Sequence, residues 1–509
     1  MLGKTNQPVV FPRSQNQPYM NAPSSYQLIS RPSDYWTSVG EKKALLLFHA
    51  AAKRVPAYKK FLASHHVRPS TIKTAADLKK VPYVDKENYL RKYPLHELAW
   101  DGEIGQASMI SRSSGSSGQP FYWLSNEQQR DEVGQFYDLV FSLMFNMKRK
   151  NTLVIVAYGM GSWVAGTTTL LSSIEYMNKN RCTFVTPGYN KAEVIEICKN
   201  LGYEYDQVVI CAYPPLVKEI IDLGREQGLD WPKLSPKFIF GAEAFSEELR
   251  DYMLDAVGSK SPLMDTMNTI GSADAMVIGH ETPLSIALRR AIHANEAAHN
   301  DILGPARMPT LAQYYPWQKH LEIQDNELLI TSDGAIPLIR YNIHDNAKIY
   351  SYKEMKTALK PHGFAKLSQA LPEELQHSYD WKLPFVLLYG KSTNAVKLYG
   401  AIVYPENIKA ALEQPTIAGQ FTGKFRMQIF HDTHHNQRLR LYIELAPGTT
   451  AAQVAVRALQ STLVQTICAL NTEYRAVYSD LHTKVVPMIR LVPYGQFDLA
   501  ADQNKHKYV

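Results

Sequence analysis

The chain has 509 residues, of which 45% are apolar and 20% charged, so it has ample material for a core and is neither largely disordered nor collagen-like. Lys and Arg number 55 against 48 Asp and Glu, which gives a formal net charge of +7. This excess is too small for a protein whose main partner is nucleic acid, and it suits a polyanionic small ligand or an acidic partner.

The four cysteines, Cys182, Cys198, Cys211 and Cys468, lie far apart, and none forms a CxxC pair. This spacing predicts neither a zinc knuckle nor a redox dithiol. Sparse cysteine favours a reducing compartment, so we expect a cytoplasmic protein. Residues 1–30 lack the apolar core and cleavage pattern of a signal peptide, and we predict a flexible polar tail there.

One uncharged stretch, residues 151–174, is long enough to span a bilayer. Gly159, Gly161 and Gly166, together with a run of Ser and Thr, interrupt its apolar content. A buried strand over 153–157, a Gly-rich turn and a helix explain the stretch better than a membrane span.

Short apolar runs alternate with helical segments after about residue 109. We predict strands at 153–157, 182–187, 207–214 and 237–245, and helices at 191–201, 215–227 and 247–257. This alternation indicates an α/β fold, with mostly parallel sheets flanked by helices. Ligands of such folds bind beyond the carboxyl ends of the strands.

The sequence pattern changes again near Lys391, where it predicts a small α+β unit with a hairpin and a long helix over 451–475. Before this point, residues 326–350 predict antiparallel hairpin strands. We therefore expect a tail at 1–30, a large domain at 31–390 and a small C-terminal domain at 391–509.

The sharpest local signal is a run of six small residues in SRSSGSSGQPFYW. These residues are Ser113, Ser114, Gly115, Ser116, Ser117 and Gly118. Such a loop offers backbone N–H groups and hydroxyls to a polyphosphate, and glycine permits the close approach. It is not a Walker loop, because no GK[ST] follows. A flexible linker is the alternative, but the strand predicted directly after the run favours a functional loop.

Two further loops follow predicted strands. Gly241, Ala242 and Glu243 end a strand just before a helix with Ser246 as its predicted N-cap, and backbone there could bind the edge of a purine. An ordinary strand-to-helix turn is the alternative.

The second loop places Gly271 and Ser272 ahead of Asp274. Asp274 and the nearby Glu281 offer hard oxygen ligands for a phosphate-bound Mg²⁺. Each could equally be an ordinary surface acid.

The segment PLIRYNIHD carries Arg340 and Asp345 five residues apart. A carboxylate such as Asp345 can accept hydrogen bonds from two ribose hydroxyls, and Arg340 can hold a phosphate or order the loop. A surface ion pair is the alternative. Gly390 and Gly400 bracket a polar turn at the predicted domain joint, where hinges belong.

These motifs, in this order, resemble the adenylate-forming superfamily, specifically its phenylacetate–CoA ligase-like branch, over nearly the whole chain after about residue 35. SSGSSGQP is similar to the superfamily's phosphate loop, and GAEAFSEELR to the Gly-(Gly/Ala)-Glu segment that contacts adenine. IGSAD stands where the family has aromatic-Gly-x-Thr-Glu, and RYNIHD stands where it has RYRTGD. YGKSTNAVKLYGAIVYPENI is similar to the family's GRxDDMIKxxGxNVxPxxIE.

The resemblance implies that a carboxylic acid is activated by ATP, with Mg²⁺, to an acyl-adenylate with release of pyrophosphate. A thiol then takes the acyl group, and it belongs to coenzyme A or to a phosphopantetheinylated carrier protein. The implied ATP-binding residues are Ser113, Ser114, Gly115, Ser116, Ser117, Gly118, Gly241, Ala242, Glu243, Gly271, Ser272, Asp345 and Lys391.

The remaining roles follow from the same resemblance. Lys505 and Arg340 are the implied catalytic residues, and Asp274 is the implied metal ligand. Tyr158 and Trp163 would line a pocket for an apolar or aromatic acid. Lys507 is the alternative catalytic lysine, because the Gly that precedes this lysine in the family is Asn504 here.

Several positions depart from the family pattern. They are Gln119 in place of Lys, Ile270 in place of the aromatic residue on adenine, Ala273 in place of Thr, Lys391 in place of Arg, and Thr393 and Asn394 in place of the hinge acids. Three hypotheses therefore stay open: a CoA ligase, an enzyme that loads a carrier protein or another nucleophile, and a catalytically weakened nucleotide-binding protein. The oligomeric state is open too, and a homodimer is among our expectations.

Overall fold

The computed structural model describes residues 23–105, 107–112, 121–177, 179–241, 244–303, 309–391, 395–412, 414 and 416–496. The helices are α1 (Ser25–Ser30), α2 (Ser33–Arg54), α3 (Pro56–Ser64), α4 (Leu95–Leu98), α5 (Glu127–Leu139), α6 (Val164–Met177), α7 (Lys191–Asn200), α8 (Pro214–Glu226), α9 (Trp231–Leu234), α10 (Glu247–Ala256), α11 (Pro283–Ala294), α12 (Glu296–Ala298), α13 (Tyr352–Leu359), α14 (Glu373–Tyr379), α15 (Pro405–Leu412), α16 (Val456–Leu470) and α17 (Thr472–Leu481).

The strands are β1 (Met109–Arg112), β2 (Tyr122–Ser125), β3 (Thr152–Val156), β4 (Cys182–Val185), β5 (Gln207–Ala212), β6 (Lys237–Phe240), β7 (Thr266–Ser272), β8 (Met276–His280), β9 (Thr310–Tyr314), β10 (Lys319–Gln324), β11 (Glu327–Ser332), β12 (Leu338–Tyr350), β13 (Phe385–Lys391), β14 (Val396–Leu398), β15 (Ala401–Val403), β16 (Phe421–His431), β17 (Gln437–Leu445) and β18 (Met488–Val492).

One 11-stranded sheet organises most of the chain, in the order β10-β11-β12-β13-β9-β8-β7-β6-β5-β3-β4. Neighbouring strands in the part β7-β6-β5-β3-β4 of this order are parallel. Neighbouring strands in the part β10-β11-β12-β13-β9-β8-β7 are antiparallel. The predicted α/β fold is confirmed, as is the antiparallel hairpin near residues 326–350. The antiparallel half is, however, larger than the apolar runs indicated.

Both faces of the parallel half are buried, which explains why its strands are continuous apolar runs. On β3, Val154 and Val156 pack into one apolar cluster, while Leu153 and Ile155 pack into a second cluster on the opposite face. Because side chains alternate along a strand, four consecutive apolar residues supply both layers.

The N-terminal part of the chain packs on the antiparallel half. Pro56 separates α2 from α3, since proline is tolerated in the first turn of a helix but not in its interior. The predicted tail does not extend to residue 30, because α1 forms over Ser25–Ser30 and Leu28 is fully buried. The backbone carbonyl of Leu28 also accepts a hydrogen bond from the amide of Lys382, at 2.8 Å.

The C-terminal part forms a separate core from β14–β18 and α15–α17. β16 pairs antiparallel with β17, and β17 pairs parallel with β18. The single helix predicted over 451–475 is wrong, because Asn471 interrupts it. Its side chain accepts from the amide of Tyr474 at 3.0 Å and donates to the carbonyl of Ile402 at 2.7 Å, so it caps α17 and ties it to β15.

The uncharged stretch at 151–174 forms β3, a turn and most of α6, as predicted. Within the described ranges, no helix combines the length and the apolar character that crossing a membrane requires.

Candidate active site

The carboxyl ends of β3, β6 and β7 meet around Gly241. The Tyr158 hydroxyl, just after β3, donates to the carbonyl of Ile239 at 2.8 Å, and the Thr269 hydroxyl on β7 donates to the carbonyl of Phe240 at 2.8 Å. A Cβ at Gly241 would lie 3.0 Å from Oγ1 of Thr269 and 3.1 Å from the Tyr158 hydroxyl. Glycine is therefore required here by close packing, and the strand end is held from both sides.

Three tyrosines line the neighbouring strand ends. The ring of Tyr213, after β5, lies 5.4 Å from the ring of Tyr158 and 5.7 Å from the ring of Tyr189, and its hydroxyl is 3.1 Å from that of Tyr189. Burial, followed by the nearby Cys211, raises the pKa of Tyr158 well above its ordinary value. Burial also raises the pKa of Tyr189, so the phenols of Tyr158 and Tyr189 stay neutral.

Arg112 brings the start of the Ser/Gly loop to the turn after β3. Its amide donates to the carbonyl of Ser162 at 2.9 Å, and its guanidinium lies 6.0 Å from the centre of the Trp163 ring. The same guanidinium donates to the hydroxyl of Thr472 on α17, at 3.3 Å. Arg112 was not among the predicted site residues, although a basic residue directly before the predicted phosphate loop is a visible signal.

Asp345 and Lys391 lie directly opposite each other on the antiparallel strands β12 and β13. Both are residues that the resemblance implies bind ATP, and Asp345 was also predicted to accept hydrogen bonds from ribose. Their juxtaposition needed the strand register, which the sequence spacing of 46 positions does not reveal. Their binding of ATP stays a prediction.

Asp274 lies on the turn between β7 and β8, but its carboxylate is already engaged. It accepts a hydrogen bond from the Tyr341 hydroxyl at 2.6 Å and forms an ion pair with Lys86 at 3.1 Å. Burial, followed by Asp274, raises the pKa of Tyr341 well above its ordinary value. Both contacts are made by Oδ2, and the role of Asp274 as a Mg²⁺ ligand stays a prediction.

No group of three or more His, Cys, Asp or Glu residues in the described part of the chain could hold a metal ion. The other suggested ligand, Glu281, accepts from the guanidinium of Arg250 at 2.7 Å and from the amide of Asn268 at 2.9 Å. We therefore derive no step through a protein-bound Mg²⁺.

Glu281 belongs to a buried network of charged side chains around α10. Arg250 on α10 is fully buried between Glu281 and Glu247, and Glu247 also pairs with Arg289. Burial opposes ionisation of Glu247, but these guanidinium groups outweigh it and lower the pKa of Glu247. The network fixes α10, whose N-cap is Ser246 as predicted.

Arg340 is not placed as a phosphate ligand. Its guanidinium donates to the carbonyl of Val81 and to Oε1 of Gln324 at 2.8 Å, and it lies 3.3 Å from a carboxylate oxygen of Glu322. The side chain is buried and surrounded by protein partners. These contacts agree with the alternative prediction, that Arg340 orders this region, and its catalytic role stays a prediction.

The remaining predicted positions divide into two groups. Gly271 closes the β7–β8 hairpin, where a Cβ would lie 3.0 Å from the carbonyl oxygen of Met276, and the Ser272 hydroxyl accepts from the amide of Ala275 at 3.1 Å. The positions outside the described residues are Ser113, Ser114, Gly115, Ser116, Ser117, Gly118, Ala242, Glu243 and Lys505.

The chain was compared with known protein families, sequences and structures. No protein-family model matches the chain. Phenylacetate-coenzyme A ligase of Aromatoleum evansii is 24% identical over 307 residues, which cover 59% of this chain and 63% of that relative. The match thus spans a little less than two thirds of the relative's length.

Among solved structures, 2-hydroxyisobutyryl-CoA ligase with 2-HIB-AMP and CoA in the thioesterification state superposes with a TM-score of 0.65 at 15% identity, covering 96% of this chain and 93% of that chain. The same ligase in the postadenylation state with 2-HIB-AMP gives a TM-score of 0.54 at 14% identity, covering 96% and 93%.

The predicted fold class is confirmed by these likenesses: the chain has the two-part α/β fold of adenylate-forming enzymes. In sequence it is similar to phenylacetate-coenzyme A ligase, in agreement with the branch that its motifs resemble.

Proposed function

We propose that this protein is an acid–thiol ligase, which activates a carboxylic acid with ATP and transfers the acyl group to coenzyme A. The observation that carries the proposal is that segments distant in the sequence contact each other at one edge of the sheet. Tyr158 joins the turn after β3 to Gly241, and Arg112 joins the Ser/Gly loop to that same turn. Tyr341 joins the β12 motif to Asp274.

The reaction has two steps. The acid's carboxylate oxygen attacks the α-phosphorus of ATP, the bond to the β-phosphate bridging oxygen breaks, and pyrophosphate leaves. The thiol sulfur then attacks the acyl carbonyl, its proton is lost, and AMP leaves. Positioning and electrostatic stabilisation supply the catalysis, because no covalent enzyme intermediate is needed. Mg²⁺ would enter bound to the ATP phosphates.

The acid we propose is apolar or aromatic. The partly exposed rings of Tyr189 and Tyr213 stack at the strand ends, and Tyr213 packs against the buried ring of Tyr158. Trp163 lies on the turn after β3. Aromatic walls favour a planar or apolar acyl tail, since such surfaces gain by excluding water.

Measuring pyrophosphate release with ATP and Mg²⁺ over a panel of aryl and aliphatic acids, with and without CoA, tests the proposal. We expect release that requires an aryl or apolar acid and rises with CoA. Acid-dependent release that is indifferent to CoA would instead indicate a carrier protein or another nucleophile as acceptor.

Absence of release with every acid would contradict ligase activity and favour a weakened nucleotide-binding protein. Two observations give that candidate some support. Lys86 compensates the charge of Asp274, and Ile270, which stands in place of the adenine-stacking aromatic residue, is buried in an apolar cluster. Equilibrium binding of ATP distinguishes this candidate from an inactive preparation.

A further inference from the structure

A buried carboxylate on α8 lies at the contact between the large and small domains. The side chain of Glu219 is only 2% exposed, and it lies in the large domain five residues after the start of α8. None of the sequence motifs includes it. A buried ionised group of this kind is costly unless cations and hydrogen bonds compensate it.

The two cations that compensate Glu219 come from different domains. Lys191 on α7 donates to Oε2 at 2.9 Å, whereas Lys484 of the small domain lies 3.0 Å from Oε1. Tyr399, also of the small domain, is close enough that Glu219 contributes, after burial, to raising the pKa of its phenol. If the small domain moved away, Glu219 would keep Lys191 and lose Lys484.

A second contact lies one residue earlier on α8. The ammonium group of Lys218 donates to Oδ1 of Asn436, at the tip of the β16–β17 hairpin, at 3.0 Å. The ring of His435 in that tip lies 5.1 Å from the ring of Tyr252 on α10. The small domain is thus held at two places on α8, of which only the Glu219 contact joins opposite charges across the domains.

A third contact joins the small domain to the tyrosines at the strand ends. Gly400 has φ +87°, and a Cβ there would lie 3.3 Å from the ring of Tyr213. Tyr213 is one of the tyrosines at the strand ends. The orientation fixed through Glu219 therefore brings the start of the small domain against the proposed acid pocket.

We propose that Glu219 is a positioning residue that holds the small domain, through Lys484, in the orientation used for acyl transfer to the thiol. This inference rests on the proposed function. The higher TM-score with a ligase in its thioesterification state than with the same ligase in its postadenylation state supports the assignment of the orientation. Glu219 itself contacts neither reacting atom and acts through the domain it holds.

Replacing Lys484 tests the proposal with little risk to folding, because this side chain is 38% exposed. Lys424→Met is the matched control, since Lys424 is 46% exposed and pairs, at 3.5 Å, with Glu444 inside the small domain. We expect Lys484→Met to increase the radius of gyration of the full-length protein in small-angle scattering. We also expect acyl transfer from preformed adenylate to slow about five- to tenfold, with adenylate formation unchanged. Lys424→Met should match the wild type in all three measurements.

Glu219→Gln provides a second, independent variant, because it removes the charge and keeps the shape. It should reproduce both effects of Lys484→Met, and the double variant should be no worse than the more affected single variant. Scattering curves that superimpose for the wild type and both single variants would overturn the docking role. A larger radius with unchanged transfer would overturn the role in catalysis. If no acid supports pyrophosphate release, the proposed function fails, while scattering still decides the docking role.

Discussion

Arg340 has a positive φ of +50°, which is uncommon for a side chain of this size. Its carbonyl accepts from the amide of Val84 at 3.2 Å, while its guanidinium reaches the carbonyl of Val81. One residue thus joins the N-terminal part of the chain to β12 through both backbone and side chain. A planar guanidinium suits this role because it offers several donors in a fixed geometry, which an ammonium group cannot do.

Arg340→Lys should therefore lower stability rather than abolish catalysis directly. We expect the free energy of unfolding of the large domain to fall by about 2 kcal/mol, because buried carbonyl acceptors lose their donors. Urea denaturation measures this. Arg54→Lys, at the exposed ion pair with Asp101, is the control and should change stability by no more than about 0.5 kcal/mol. An unchanged unfolding midpoint with lost adenylation would support the catalytic role that the sequence predicted.

On β12, His344 connects two elements through two carboxylates. Its Nε2 lies 3.4 Å from Oδ2 of Asp85, and its Nδ1 lies 3.1 Å from Oε2 of Glu327 on β11. The hydrogen bond to Asp85 and then Glu327 raise the pKa of His344 against the opposing effect of burial. For Asp85, burial is outweighed by hydrogen bonds from His344 and the Asn88 amide, so its pKa is lowered.

These shifts predict a stability difference that depends on pH. A raised histidine pKa stabilises the fold fully below the unfolded value of about 6.5, and the effect is lost as pH rises through the folded value. His344→Asn keeps a residue that tolerates the left-handed φ of +57°. We expect the variant to be less stable at acidic pH by at most about 1 kcal/mol, since the ring is 41% exposed and screened by solvent.

Urea unfolding of the wild type and His344→Asn, compared between mildly acidic and mildly alkaline pH, measures this difference. The difference in the free energy of unfolding between the two proteins should disappear at alkaline pH. A gap that is constant across the range would contradict an ionic role for His344 and assign the loss to packing. The test stays above the range in which Asp85 protonates, because the stabilisation from its lowered pKa disappears only as pH falls through that value.

The helices and strands show what sequence periodicity could and could not predict. β3 and the helix cap at Ser246 followed from short-range pattern, since burial on both faces and N-capping are local properties. The break at Asn471 was missed because apolar spacing continues through it, although an Asn that caps a helix is a local signal. The pairing of β12 with β13, which sets Asp345 against Lys391, was hidden because it depends on the register of two strands that are distant in the sequence.

At the scale of the whole molecule, the residue types and order of the motifs sufficed for the fold, but individual roles did not follow. Asp274 and Arg340 match family positions, yet their partners lie in the N-terminal part of the chain, at Lys86 and Val81. Long-range partners of this kind decide whether a charged group faces a ligand or a protein. Arg112 lies inside the Ser/Gly motif but was given no role, and Glu219 lies in no motif, yet both contact the small domain.

The two half-reactions of the proposed function place different demands on the small domain, so we expect variants of its residues to slow one step or the other. The resemblance implies that Lys505 stabilises the charge on the α-phosphate only during adenylation. Lys505→Ala should slow acyl-adenylate formation about 100-fold, the scale of losing one electrostatic donor, and leave ATP affinity unchanged. It should also leave acyl transfer from preformed adenylate unchanged, the reverse of the pattern expected for Lys484→Met. Lys507→Ala is the matched control. If Lys507→Ala alone slows adenylation, the catalytic lysine is Lys507; if neither variant does, the tail does not supply it.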